Sequence, residues 1–98
     1  MNKFGLTDKQ LNLIKNILSK HPNIEKVILF GSRAKGNFKK YSDIDIALLG
    51  SVTSLNAEKI KLDLNELPII YKFDVLSYNE LKNPQLKQHI DRVGVPLL

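Results

Sequence analysis

The chain has 98 residues, 43 % of them apolar, no cysteine, and a formal net charge of +5. That composition suits a single small packed domain (residues 1–98) rather than two, and it excludes disulfides, thiolate metal sites and wholesale disorder. No unbroken apolar run exceeds the four residues of Val27-Ile28-Leu29-Phe30, far too few to span a bilayer, and Met1-Asn2-Lys3-Phe4-Gly5 lacks the apolar core of a signal peptide, so the expectation is a soluble cytoplasmic protein.

The first helix has a clean start. Thr7 is the cap, Gln10 completes a capping box, and Leu6 with Leu11 forms a hydrophobic staple. Leu11, Ile14, Ile17 and Leu18 make its apolar face, and His21-Pro22 ends it. Residues 26–30 are apolar and β-branched, a buried strand that stops at Gly31-Ser32. A polar, basic stretch follows to Ser42, helix-like at first and broken at Gly36. Residues 43–49 read as a second strand ended by Gly50-Ser51, and residues 54–64 as a helix with Ala57, Ile60 and Leu64 on one face. After Pro68, residues 69–77 read as a third strand. Asn83-Pro84 caps and opens a last helix, with Leu86, Ile90 and Val93 on one face and Gly94 as its C-terminal stop. The tail Val95-Pro96-Leu97-Leu98 packs on the chain's own core or docks on a partner. Three strands with helices between them imply an α/β or α+β fold, a small sheet backed by helices.

The charges are uneven. Residues 1–49 hold nine of the fifteen Lys/Arg and only four of the ten Asp/Glu. The common reading is a solvated basic face; the functional one is attraction of polyphosphate, RNA or an acidic partner. The chain lacks clustered aromatics and any RNA-binding motif, which argues against direct nucleic-acid binding.

Chemistry concentrates around Asp43-Ile44-Asp45-Ile46-Ala47-Leu48. Side chains alternate along a strand, so Ile44, Ile46 and Leu48 point into a core while Asp43 and Asp45 share the other side. Two such carboxylates repel unless a cation sits between them, and magnesium suits them as a hard ion. Around Phe73-Asp74-Val75 the pattern repeats, with Asp74 on the carboxylate side. If the two strands are neighbours, the three aspartates form a ligand set for two metal ions about 3.5–4 Å apart. Gly31 lets a phosphate approach the backbone, and Ser32 opens a helical turn whose amides bind anions. Arg33, Lys35, Lys39 and Lys40 add positive charge nearby or are solvated. Alone, Gly-Ser is a turn and Asp-Ile-Asp a solvated strand face. Together, with ten residues between them, they arise by chance in on the order of one in a thousand chains this size.

Gly31-Ser32-Arg33-Ala34-Lys35-Gly36 followed by Ser42-Asp43-Ile44-Asp45-Ile46 resembles the signature of the DNA polymerase β-like nucleotidyltransferases. Phe73-Asp74-Val75 and Arg92-Val93-Gly94-Val95-Pro96-Leu97 resemble that family's closing strand and tail. Its length likens the chain to the minimal nucleotidyltransferases, the antitoxin halves of HEPN/MNT toxin–antitoxin pairs. The resemblance implies a small mixed sheet backed by helices. It implies Asp43, Asp45 and Asp74 as catalytic and metal-binding residues for two Mg2+ ions, with Asp74 helping to deprotonate the attacking hydroxyl. Gly31 and Ser32 would hold the triphosphate of ATP. The activity implied is transfer of AMP from ATP to a tyrosine of a HEPN ribonuclease in a hetero-oligomer. Competing expectations are an antitoxin that acts by binding alone, and a nucleotidyltransferase for a small molecule, which would normally carry a further helical domain.

Overall fold

The structure, a computed structural model, describes residues 4–97. Helix α1 (Asp8–Leu18) begins with the expected capping box: the Gln10 amide donates to Thr7 Oγ1 at 3.0 Å and the Thr7 amide to Gln10 Oε1 at 2.9 Å. These bonds satisfy donors that the first turn leaves unpaired. Ser19 caps its other end, so α1 stops a turn ahead of His21-Pro22. Strand β1 (Ile24–Phe30) runs directly into a short helix, α2 (Gly31–Lys35), which Gly36 closes at φ 88°. Strand β2 (Ile44–Gly50), helix α3 (Ser54–Asn65), strand β3 (Phe73–Ser77), helix α4 (Pro84–Val93) and strand β4 (Val95–Pro96) complete the chain.

The sheet is mixed, in the order β3-β2-β1-β4. β1 runs antiparallel to β2 and β4, whereas β2 and β3 are parallel and joined through α3. Alternation along the strands divides the side chains between two faces. Val27, Leu29, Ile44, Ile46, Leu48, Phe73 and Val75 build the main core with α1 and α3. Phe30 and Ala47 face the other way and meet Ile90 of α4, with Ile28, Leu76, Leu86 and Val93 around them. Asp45 and Asp74 belong by alternation to this second face.

Three expectations need correction. A fourth strand exists: Pro96 pairs with Ile28, Val95 pairs with Leu29, and the Leu97 amide donates to the Val27 carbonyl at 2.8 Å. Two residues carry no readable periodicity, and a proline is tolerated because the strand lies at the edge. The tail therefore packs on its own sheet, with Leu97 in the main core; Leu98 lies outside the described residues. The third strand begins at Phe73 rather than at residue 69. Its neighbour in the sheet, β2, begins at Ile44, whose amide donates to the Lys72 carbonyl. Residues 69–71 therefore have no ladder to join, and Ile70 is exposed. Gly94 is extended (φ −63°, ψ 142°) rather than left-handed. Its lack of a side chain serves close packing, because a Cβ there would overlap the Ile90 carbonyl and Ile28.

Candidate active site

β1 ends against β2 with Phe30 opposite Asp45, and the chain turns at once into α2. Gly31 makes that turn at φ 74°, which disfavours any side chain. A Cβ there would also overlap Asp45 Oδ2 and lie 3.1 Å from its Cγ. The glycine thus makes room for a carboxylate as well as for the backbone turn. Ser32 follows in the first turn of α2, where the N-cap, Phe30, offers no side-chain hydrogen bond to the helix amides.

Asp45 and Asp74 stand in direct register across the parallel β2–β3 pair. Asp43 precedes β2 and is exposed, as is Asp74; Asp45 is half-buried. The Asp45 carboxyl is pushed up from 3.8 to about 6, first by burial and then by the charges of Asp74 and Asp43, with Arg33 pulling the other way. The three aspartates therefore share one electrostatic field. They do not close into a cage: among the described residues no three acidic, histidine or cysteine side chains are gathered for a metal. Asp74 instead lies 3.6 Å from Lys61 Nζ. An open, all-oxygen carboxylate set fits magnesium, which keeps several waters and substrate oxygens and seldom uses a complete protein cage.

Beside this set is an open cleft of about 460 Å3 lined by Asp43, Lys61, Asn65, Lys72, Phe73 and Asp74. Asn65 fixes its wall. The Phe73 amide donates to Asn65 Oδ1 at 2.9 Å, and Asn65 Nδ2 donates to the Phe73 carbonyl at 3.3 Å. Those bonds satisfy the free edge of β3 one residue before Asp74.

The basic residues divide differently from the sequence expectation. Arg33 is neither solvated nor open to a ligand, being 1 % exposed and bound to backbone carbonyls. Lys35, Lys39 and Lys40 are exposed, Lys40 lying over the Tyr41 ring. The cations that line the cleft are Lys61 and Lys72, which sequence reasoning missed. Their approach depends on how α3 crosses to β3, and no local motif encodes that. The shift in Asp45 comes first from burial and then from Asp74, which the β2–β3 register brings alongside, and no local motif encodes either.

A glycine turn fitted to a strand carboxylate, with a second carboxylate in register beside it, is the kind of arrangement that nucleotidyl transfer calls for. Residues 12–98 match the family model "Polymerase beta, Nucleotidyltransferase", and the chain belongs to that family. It is 31 % identical, over 78 % of its length and 68 % of the relative's, to MntA of Haemophilus influenzae, named as a probable protein adenylyltransferase. It also resembles a chain from a toxin–antitoxin crystal structure with AMP-PNP: 25 % identity, TM-score 0.75, covering 90 % of this chain and 72 % of that one. A third likeness is a complex of tri-AMPylated Shewanella oneidensis HEPN toxin with MNT antitoxin. There the TM-score is 0.72 and the identity 22 %, over 95 % of this chain and 72 % of that one, a likeness of fold. No helix among the described residues is long and apolar enough to cross a membrane.

Proposed function

We propose that residues 1–98 form one minimal nucleotidyltransferase domain that moves AMP from ATP to a tyrosine hydroxyl of a HEPN-type toxin, and so acts as its antitoxin. The observation that carries this reading is the Gly31–Asp45–Asp74 arrangement: a glycine shaped to one carboxylate and a second carboxylate in register with it. The MntA relative and the fold shared with toxin–antitoxin complexes support the choice of a protein acceptor.

In the reaction the acceptor oxygen attacks the α-phosphorus. A new O–P bond forms, the α–β anhydride bond breaks, and pyrophosphate leaves. Gly31 and Ser32 hold the triphosphate at the start of α2, where backbone amides favour an anion. Asp74, the exposed member of the in-register pair, receives the proton of the acceptor hydroxyl, directly or through water. Its ion pair with Lys61 must loosen first, which frees that cation for phosphate oxygens. Asp43, Asp45 and Asp74 would hold two magnesium ions, which when bound activate the acceptor oxygen and neutralise charge on the leaving group. Burial of Asp45 among its acidic neighbours prepares that role, because a divalent cation is the partner that relieves its raised proton affinity.

The test is incubation of the chain with magnesium and α-labelled ATP, with and without a HEPN toxin, beside the Asp43→Asn variant. Label on the toxin that vanishes with the variant is the expected result. Tight binding and neutralisation without label on any acceptor would overturn it in favour of an antitoxin that acts by contact.

A further inference from the structure

We propose that Arg33 is a positioning residue, a buried guanidinium that fixes where Asp43 stands by gripping the backbone just before it. The inference rests on the nucleotidyl-transfer reading above and concerns how that site is held in shape.

Arg33 heads the fully buried side chains by volume. Its Nε and Nη2 both donate to the Ser42 carbonyl, at 3.1 and 2.9 Å, and its Nη1 donates to the Phe4 carbonyl at 2.7 Å. Two rings face the guanidinium, Tyr71 at 4.1 Å and Phe38 at 5.1 Å from centroid to Cζ. Gly5 completes the enclosure: a Cβ there would lie 2.9 Å from Nη1 and 2.8 Å from Phe38 Cζ. One side chain thus ties α2 to the N-terminal segment, to the loop of residues 36–43 and to the approach to β3.

Stability alone does not account for a charge in this place. Burying an ion is costly, and apolar groups of similar volume often do as well or better. Among the described residues the ion pair is Lys61–Asp74, so no carboxylate lies within ion-pair distance of Arg33. What a guanidinium adds is direction: a planar fork that holds one carbonyl oxygen while its faces stack on rings.

The held carbonyl is informative. It belongs to the peptide plane that carries the Asp43 amide, so gripping it orients Asp43. The other two aspartates have separate supports. Asp45 is within the β2 ladder and Asp74 within β3, whose edge Asn65 secures. Asp43 precedes the first residue of β2 and has no ladder partner. Its support is the turn before it, closed by Ser42 N–H to the Lys39 carbonyl at 3.1 Å and Lys39 N–H to Ser42 Oγ at 2.8 Å. Arg33 anchors that turn to α2. A misplacement of about 1 Å in such a group can cost about a hundredfold in rate.

The experiment compares the complete chain with Arg33→Lys, which keeps charge and loses the fork, and Tyr71→Leu, a milder change that removes one ring face. ATP turnover on the toxin is measured together with amide hydrogen exchange along the chain. For Arg33→Lys we expect kcat to fall about 10–100-fold with KM for ATP within about threefold. Exchange over residues 37–43 should quicken at least about tenfold while β1 and β2 keep their protection. Tyr71→Leu should move both readouts the same way by less, and it decides the matter if Arg33→Lys fails to fold. A folded variant with a loosened loop and unchanged kcat overturns the proposal. So does faster exchange spread evenly over α1, β1 and β2, with activity tracking the folded fraction. A wild-type chain that transfers nothing sinks the functional reading itself; a wild type that transfers no better than folded Arg33→Lys sinks only this one.

Discussion

The two faces of the sheet use the same strands for opposite ends. Toward α1 and α3, β2 presents Ile44, Ile46 and Leu48, all fully buried in the main core. Toward α4 it presents Asp45 and Ala47, of which only Ala47 is covered by α4. The uncovered end of that second face carries a half-buried carboxylate whose neighbours make it hard to ionise. Moving one residue along β2 therefore crosses from groups that stabilise the fold to a group that strains it. On the proposed function, the acidic end gives up stability to keep a charge where a phosphate and its cations would bind.

The largest effects should separate the faces by sign. Asp45→Asn keeps the shape but removes the charge proposed to hold a metal ion, so transfer should fall by about a thousandfold, matching a loss of several kcal/mol of charge stabilisation. The metal-free protein should nevertheless become more stable. The folded carboxyl is raised from 3.8 to about 6 and so binds its proton more tightly than in the unfolded chain. Metal-free wild type should therefore lose stability as pH rises from about 4 to about 6, with no further loss from this group above that. Allowing for the solvent that still reaches the group, the loss is about 1–2 kcal/mol, and Asp45→Asn should abolish it. Melting curves in EDTA at pH 4, 6 and 8 read both; a variant less stable than wild type at pH 8 would contradict this account.

Gly31 tests whether the turn and the carboxylate form one unit. Gly31→Ala meets two obstacles, a positive φ and Asp45 Oδ2. The backbone part alone should cost about 1–2 kcal/mol, and the overlap adds to it. In an Asp45→Ala background only the backbone part remains, so the double-mutant cycle should show coupling of about 1 kcal/mol. Urea denaturation of the four proteins measures it, and strict additivity would mean that the loop relaxes away from Asp45 in solution.

Much of this contrast was legible in the sequence, for physical reasons that also explain the misses. Period-two alternation put Asp45 and Asp74 opposite the core residues, and Thr7, Gln10 and Asn83 fixed two helix starts through local hydrogen bonds. Thr53, which caps α3 with Asn56, was within reach of the same logic. Features made by distant contacts were hidden. β4 exists because Val95 and Pro96 meet β1, and β3 starts at Phe73 because β2 offers nothing earlier. Arg33 reads as one of four positive charges near Gly31-Ser32, or as a solvated side chain. Only the folded chain brings the Phe4 and Ser42 carbonyls and the Tyr71 ring around it.

A smaller test of the core face is Ile46→Val, one residue from Asp45 and fully buried. Removing one buried methylene should cost about 0.5–1.5 kcal/mol. For a domain of this size that lowers Tm by about 4–8 °C per kcal/mol. Transfer per folded molecule should stay within about twofold of wild type, because the side chain points away from the carboxylates. A rate loss larger than the stability loss would mean that the core face sets the strand's position more tightly than the two-face division allows.

The smallest effect belongs outside both faces. Leu55 and Leu62 lie two turns apart on α3, each 66 % exposed, while Ala57, Ile60 and Leu64 take the buried side of the helix. Leu62→Lys removes no core contact and adds a residue of good helix propensity, so stability should change by less than about 0.5 kcal/mol. Adenylyl transfer to the toxin should also be unchanged, since α3 meets the aspartate cleft through Lys61 and Asn65 and Leu62 does not line it. Steady-state transfer and a melting curve on this one variant suffice. Unchanged Tm with a raised KM for toxin, and normal KM for ATP, would instead identify the outer face of α3 as where the acceptor protein seats. The toxin would then have to reach around the β3 edge, past Lys61 and Asp74, to present its hydroxyl.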